Sequence, residues 1–363
     1  TRPPGDFSTV RDVYRNVAKT ENAIDDFWAL LENPQTPAGQ QFRAGLALGS
    51  FAPPSQTSPD EKWLAARKFL SDQLLAEIQR DPGSYEPWIH ETRPLRHLLQ
   101  PVLFDLFLDN DGSPENRAET ASVLGDLVND QPESLVKLVL NSQPSQYIRL
   151  APVLKNLGTS GQSALESAYS KALATEQEPL DVRVESRRRK GAAAIALLEF
   201  RQTGPLMAVL SAIEDPDLTH QAEYRLSQLN AHSEILFDLL PSADTVLRAS
   251  LLRCLTGMKY GDIPEPLRNS ITDEAKQLFV SDKDTGVHSA AEWLLRSWGQ
   301  KDQIAELLKQ ESVPHQYTPD KDWYVNADGQ SMAVFRNVGT VRTGSPEGEE
   351  DRDRDEVQVL RTV

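Results

Sequence analysis

The sequence predicts an all-α protein that is followed by a short β tail. Apolar residues recur at helical spacing through residues 13–312, between breaks that contain proline or glycine. Residues 322–363 instead alternate apolar and polar positions around the tight-turn signal Asp328-Gly329. The composition, with 39% hydrophobic, 7% aromatic and 25% charged residues, is lean for a globular protein and typical of repeat proteins.

Helix start signals recur along the body of the chain. Ser58-Pro59-Asp60-Glu61 has the pattern of a capping box with proline at the first helical position. Ser113-Pro114 and Gln131-Pro132 are two further starts that are led by proline. Apolar stripes follow, and short loops separate them, so we predict helices of about three turns.

An internal repeat lies on top of this pattern. The segments "GVHSAAEWLLRSWG" and "TVLRASLLRCLTGM" carry apolar or small residues at the same helical offsets. The aligned positions are Val287, Ala290, Ala291, Leu294, Leu295 and Trp298 in one copy, and Leu247, Ser250, Leu251, Cys254, Leu255 and Met258 in the other. Weaker copies occur in "LTHQAEYRLSQL" and "NRAETASVLGDLV", and a second apolar helix follows each stripe.

Such a helix pair cannot bury both of its apolar faces alone, and stacking on neighbouring pairs solves this problem. The pattern therefore predicts a HEAT/armadillo-like α-solenoid, with an irregular all-helical domain as the alternative. The first helix of each pair has small residues early, which permit close approach, and large residues later, which fill the layer.

Charge and cysteine content exclude several classes of function. The net charge of −16 argues against a nucleic-acid partner, because phosphate binding needs a basic surface. The single Cys254 excludes an intrachain disulfide framework and any multi-cysteine metal site. No apolar run is long enough to span a membrane, and we expect a cytoplasmic location.

Candidate catalytic residues are few. Cys254 is the only possible thiol nucleophile, but its place at a core offset of a repeat predicts a buried thiol. The histidines show no metal-binding spacing, and the sequence contains no phosphate-binding loop, kinase catalytic loop or nucleophile elbow. We therefore assign no catalytic residue, no metal ligand and no cofactor to this chain.

One basic run is the candidate partner-binding site. Arg187, Arg188, Arg189 and Lys190 precede the apolar segment "GAAAIALL", so we place them at the solvated start of a helix. Because the whole chain is acidic, an acidic protein partner, or a neighbouring domain of the same chain, is favoured over nucleic acid.

The last residues carry a family resemblance. "DGQSMAVFRNVGTVRTGSPEGEEDRDRDEVQVLRTV" resembles the opening of a formylglycine-generating-enzyme (sulfatase-modifying factor) domain. That family has a strand pair, a strand ending in phenylalanine-x-methionine-glycine-serine, an acidic loop, and a glutamate before the next strand. Val341–Ser345 and Glu356 stand at the corresponding places, although Thr343 replaces the methionine, and Val357 and Gln358 replace the commoner proline and histidine.

The helical region also resembles the segment that precedes such domains in large bacterial proteins, many of which carry an N-terminal serine/threonine kinase. The resemblance implies that the chain is a fragment, which also agrees with a first residue that is not methionine. It divides into a linker (1–12), a helical repeat region (13–312), a second linker (313–321) and the first strands of a truncated α+β domain (322–363).

The resulting expectation is a non-catalytic helical scaffold or spacer within a multidomain signalling or sulfatase-modifying-factor-like protein. Two alternatives follow from the same resemblance. The chain is part of a formylglycine-generating-type metal oxidase whose active site lies beyond it, or it is a regulatory region of an upstream serine/threonine kinase.

Overall fold

The computed structural model describes residues 20–109, 111–175, 177–310, 313–336, 339–347, 349 and 352–362. The body is mostly helical, and every described strand lies in the tail, as the sequence predicts. The chain divides after Gly161 into two compact units, and the β tail belongs to the second unit. No pattern in the sequence indicates this boundary.

The first unit is built of eight helices in its described part, with a ninth crossing the boundary. They are α1 (Thr20–Glu32), α2 (Ala38–Phe51), α3 (Glu61–Arg80), α4 (Tyr85–Thr92), α5 (Arg96–Leu108), α6 (Pro114–Leu127), α7 (Pro132–Asn141), α8 (Pro144–Asn156) and α9 (Thr159–Tyr169). Helix α3 packs on α2 and α5, and α6 packs on α5 and α8. The rings of Phe42 and Trp88, both buried, lie 5.4 Å apart in the core of this unit.

The predicted helix starts are partly confirmed. Ser113 is the N-cap of α6, where its hydroxyl accepts a hydrogen bond from the Asn116 N–H at 3.2 Å. The prediction of a capping box at Ser58 is wrong, because α3 begins at Glu61 with Asp60 as its N-cap. The Asp60 carboxylate accepts from the Trp63 N–H at 3.0 Å, and an ionised acceptor makes the stronger cap.

The helices of the second unit repeat a pattern of packing. They are α10 (Leu180–Ala196), α11 (Gly204–Leu210), α12 (Pro216–Leu226), α13 (Ser233–Leu239), α14 (Thr245–Gly257), α15 (Glu265–Ser281), α16 (Thr285–Ser297) and α17 (Lys301–Leu307). Helix α12 packs between α10 and α14, and α14 packs in turn on α16. Helices α11, α13, α15 and α17 lie beside these and complete the pairs.

The repeat seam is buried as predicted. Leu251 and Leu255 of α14 and Ala291, Leu294 and Leu295 of α16 have no exposed surface. The alanines and serines at the start of each helix let the two helices approach, and the leucines fill the layer between them. The aligned offsets of the two segments therefore mark the faces that meet.

The tail forms two hairpin-like sheets of two strands each. β1 (Trp323–Val325) pairs with β2 (Ser331–Ala333), and β3 (Thr340–Thr343) pairs with β4 (Val359–Thr362), both antiparallel. Gly329 has a φ of +77°, a conformation that glycine adopts without strain, so the predicted turn at Asp328-Gly329 is confirmed. The third strand was predicted from Val338, which lies outside the described residues.

Truncation of the seam should be costly. Leu294→Ala removes a buried side chain between α14 and α16, so we expect a loss of about 2–5 kcal/mol in the free energy of unfolding. Trp293 is 53% exposed on the same helix, and Trp293→Ala should change stability by about 0.5 kcal/mol or less. Denaturant unfolding of both variants checks this, and equal losses would contradict the assignment of the seam.

Candidate functional site: the tail clamp

The β tail is fixed to the second unit by a stack of three rings. His288 of α16 has no exposed surface and lies between Phe279 of α15 and Trp323 of β1. Its ring centroid is 3.6 Å from that of Trp323 and 4.6 Å from that of Phe279, and both pairs are nearly parallel. We call these three residues, with Ser331, the tail clamp.

Both nitrogens of the buried imidazole have partners. Nδ1 of His288 lies 2.7 Å from the carbonyl oxygen of Phe279, and Nε2 lies 2.9 Å from the hydroxyl of Ser331 on β2. The Nδ1–H donates to the carbonyl, because a carbonyl can only accept, and in the neutral ring Nε2 then accepts from Ser331. The Ser331 hydroxyl also lies 3.1 Å from a carboxylate oxygen of Glu292, and because it has one hydrogen it donates either to Nε2 or to that carboxylate at any moment.

The junction of α15 and α16 receives the rest of Trp323. Its indole N–H donates to the carbonyl of Asp282 at 2.9 Å, so the polar group of a buried tryptophan is satisfied. The Asp282 carboxylate accepts from Arg248 of α14 at 3.0 Å, and Asp284 caps α16 by accepting from the Val287 N–H at 3.0 Å. Hydrogen bonds to Asp282 and Asp284 therefore fix the loop between α15 and α16 on which the indole lies.

Backbone and side-chain hydrogen bonds extend the contact along the tail. The Asp322 N–H donates to the Lys283 carbonyl at 2.9 Å, and the Lys321 ammonium donates to the Val280 carbonyl at 2.5 Å. The Lys321 ammonium also lies 4.4 Å from the ring centroid of Trp323. The tail thus contacts the end of α15 and the loop after it.

The position and face of this contact differ from the sequence prediction. The sequence predicts that residues 322–345 either lean on the last helices near Trp298 or remain mobile; the first hairpin docks on α16 at His288, and the Trp298 ring packs on Tyr260 at 5.3 Å. The alternation of Met332 and Val334 with Ser331 and Ala333 predicts that one face of the strand is buried, but Met332 is 38% exposed. The opposite face docks because it carries Trp323 and, across the sheet, the Ser331 hydroxyl that the imidazole requires.

The Ser331–His288 pair has the hydrogen bond of a nucleophile and its base, with the Phe279 carbonyl as the orienting group. Its surroundings differ from those of a reactive pair. The imidazole has no exposed surface, and the Ser331 hydroxyl is shared with Glu292. We therefore assign the pair to holding β2 against α16.

Burial also controls the charge of this imidazole. Burial is the main influence on the pKa of His288 and lowers it below the usual histidine value. The Phe279 carbonyl and the carboxylates of Glu292 and Asp282 oppose this change, whereas the Lys321 ammonium reinforces it. The clamp is consequently built around a neutral ring at physiological pH.

The predicted basic run is engaged within the second unit. Arg187 donates to both carboxylate oxygens of Asp215, the N-cap of α12, at 2.8 and 3.0 Å. Arg188 and Arg189 each lie 2.7 Å from Glu185, and the Lys190 ammonium lies 5.0 Å from a tyrosine ring centroid. The expectation that the run starts a helix is wrong, because α10 begins at Leu180 and the apolar segment only continues it.

Cys254 lies where the repeat pattern places it. It has no exposed surface, and burial, with the nearby Glu223 carboxylate, raises the pKa of its thiol well above the usual value. Such a thiol carries little thiolate, which is the nucleophilic form.

Sequence reasoning missed the residues of the clamp. His288 was counted among scattered histidines and Trp323 as an ordinary strand residue. One local signal was present. His288 directly follows Val287, the first core position of its repeat, so a polar side chain stands beside the buried apolar stripe. The partners on β1 and β2 are distant in sequence, so no spacing could reveal them.

Within the described ranges, no group of three or more His, Cys, Asp or Glu residues is arranged to hold a metal ion. None of the described helices combines the length and apolar character needed to cross a bilayer. Comparison of the chain with protein-family models, curated proteins and solved structures gave no significant match.

Docking of the tail should weaken in acid. Burial lowers the folded-state pKa of His288. The stability that this residue gives to the docked tail is therefore complete above the unfolded-state pKa of about 6.5 and is lost as the pH falls towards the folded-state pKa. We expect the exchange protection of the Val325 and Val334 amides to fall as the pH is lowered below about 6.5. Hydrogen exchange, corrected for intrinsic rates, measures this.

His288→Gln should weaken docking at every pH and flatten this dependence, whereas His90→Gln, at an exposed histidine, should leave it unchanged. An unaltered pH profile in His288→Gln would show that another group titrates.

The members of the basic run should differ in their effect on stability. Arg187→Ala breaks a largely buried ion pair between α10 and α12, so we expect a loss of about 1–3 kcal/mol in unfolding free energy. Arg189, which is about half exposed, is the control, and Arg189→Ala should cost about 0.5 kcal/mol or less. Thermal melting compares the two, and a reversed order would restore the run as a free surface patch.

Proposed function

We propose that this chain is a non-catalytic helical-repeat scaffold that holds the β tail in a fixed orientation. The tail clamp carries this proposal. A buried histidine that is stacked on both faces and hydrogen-bonded through both nitrogens orients the first hairpin more strictly than apolar contact alone.

The packing of the second unit supports a HEAT/armadillo-like solenoid. Helices α10, α12, α14 and α16 contact one another in succession, and each is followed by a second helix that packs beside it. This order is typical of stacked helix pairs, in which each pair depends on its neighbour to bury its faces. The last pair of such a stack has one uncovered face. The tail contacts α16 of the last pair at His288 and the end of α15 at Val280.

The family resemblance of residues 322–363 gives this scaffold a context. If β1 and β2 open a formylglycine-generating-enzyme-like domain, the clamp would set the orientation of that domain relative to α16. The metal-oxidase and kinase-regulatory alternatives would use the clamp in the same way, as a rigid joint between helices and a neighbouring domain. Protein partners or neighbouring domains, including acidic ones, are the partners that we propose for the scaffold.

Loss of the clamp tests the proposal. Trp323→Ala removes one face of the ring stack, and such aromatic pairs contribute about 0.5–1.5 kcal/mol beyond the area that they bury. We expect trypsin to cleave after Lys321 and Arg336 much faster in this variant, because both side chains are held in the docked tail. Circular dichroism should show that the helices persist.

Trp293→Ala provides the matched control, because Trp293 lies on the same helix with its ring exposed. The proposal fails if trypsin cleaves wild type, Trp323→Ala and Trp293→Ala at the same rate. It also fails if Trp323→Ala unfolds the whole second unit, since the tail would then be part of the core and not an element docked on it.

A further inference from the structure

We propose that a groove in the first unit binds a basic segment of a partner protein, with a lysine or arginine next to an apolar residue. The groove has a volume of about 630 Å³ and lies among α3, α4, α6 and α8. Every residue that lines it precedes Gly161, so the proposal is independent of the tail clamp. We call it the α6 groove.

Part of the lining of the α6 groove is apolar. It consists of Ile78 at the end of α3, Pro82 after it, and Pro114 and Ala118 of α6. The volume is in the range of pockets that take a small ligand or a few side chains. An apolar side chain of a peptide would therefore be covered here without displacing any part of the unit.

Another part of the lining carries negative charge. Glu115 and Glu119 are four residues apart on α6, so they project from the same face, where like charges repel. Glu119 accepts a hydrogen bond from the neutral amide of Gln79 at 2.7 Å. Within the described part of the chain, neither glutamate forms an ion pair.

Tyr85 also lines the groove, and its hydroxyl is influenced by the negative charge of nearby carboxylates. Its hydroxyl donates to Asp126 at 2.5 Å. Burial, followed by the carboxylates of Asp126 and Glu119, raises the pKa of Tyr85 far above its usual value. The donors that face these carboxylates are therefore neutral groups, which satisfy hydrogen bonds but leave the charges uncompensated.

Two other cavities differ in this respect. In a cavity of about 240 Å³ beside α12 and α14, Glu223 is paired with Arg253 at 2.7 Å. In one of about 400 Å³ between α1 and α3, Glu32 is paired with Lys62 at 3.0 Å. There the chain supplies its own cation. The α6 groove also contains a cation, Arg149, but within the described residues it forms no ion pair with Glu115 or Glu119, and a basic side chain of a partner supplies that charge.

Glu115 and Arg149 refine the argument. Glu115 lies in the first turn of α6, where a carboxylate is favourable for the helix itself, so Glu119 is the more specific indicator. Arg149 of α8 also lines the groove and, within the described residues, forms no ion pair. Arg149 repels a basic occupant and attracts an acidic one. Its removal should therefore strengthen the binding of a basic peptide and weaken that of an acidic one.

Fluorescence anisotropy tests the proposal with two labelled probes, a short peptide of alternating leucine and lysine and its leucine–glutamate counterpart. The lysine peptide should bind more tightly, and Glu119→Gln should weaken its binding about two- to fivefold, as expected for a partly exposed ion pair. Arg149→Gln should tighten the same binding. Ala118→Phe, whose larger side chain would occupy space in the groove beside its apolar residues, should weaken binding of either peptide.

Glu133→Gln is the control for the loss of one negative charge in Glu119→Gln, because Glu133 lies in the first turn of the next helix, α7, and does not line the groove. Glu133→Gln should leave the affinity unchanged. The proposal is overturned if the glutamate peptide binds better, or if Arg149→Gln weakens binding of the lysine peptide. Equal effects of Glu119→Gln and Glu133→Gln would also overturn it, since attraction would then follow net charge alone.

Discussion

The arrangement of the β tail depends on one buried imidazole. His288 offers two flat faces and two nitrogens at once, and the second unit uses all four: rings lie on both faces, and a carbonyl and a hydroxyl meet the nitrogens. A leucine at this position would bury apolar area but would remove one of the two partners of the Ser331 hydroxyl and leave it only Glu292. Orientation, as distinct from mere attachment, thus comes from hydrogen bonds in a place that excludes water.

Ion pairs between arginines and carboxylates join neighbouring helices of the second unit. Arg187 of α10 pairs with the N-cap of α12, Arg253 of α14 pairs with Glu223 of α12, and Arg248 of α14 pairs with Asp282 after α15. These contacts link successive layers at their edges, while leucine and alanine fill the seam. Of the basic run Arg187–Lys190, Arg187 takes part in these contacts, while Arg188 and Arg189 pair with Glu185 on their own helix.

The first unit shows the opposite case. Glu119 of the α6 groove accepts from the neutral amide of Gln79, and within the described residues neither Glu119 nor Glu115 forms an ion pair. Their negative charge therefore attracts a basic side chain that enters the groove. A chain with a net charge of −16 can leave carboxylates unpaired at many exposed sites at little cost. What distinguishes this place is their position beside an apolar surface of a size that suits side chains.

By itself, the sequence determined the helices, the buried seam of α14 and α16, and the hairpin turn at Gly329, because periodicity and turn chemistry are properties of adjacent residues. Tertiary structure alone decided which face of the hairpin docks, where the chain divides into two units, and how the arginines are paired. The clamp joins residues 279, 288, 323 and 331, and a contact across such distances leaves no local pattern.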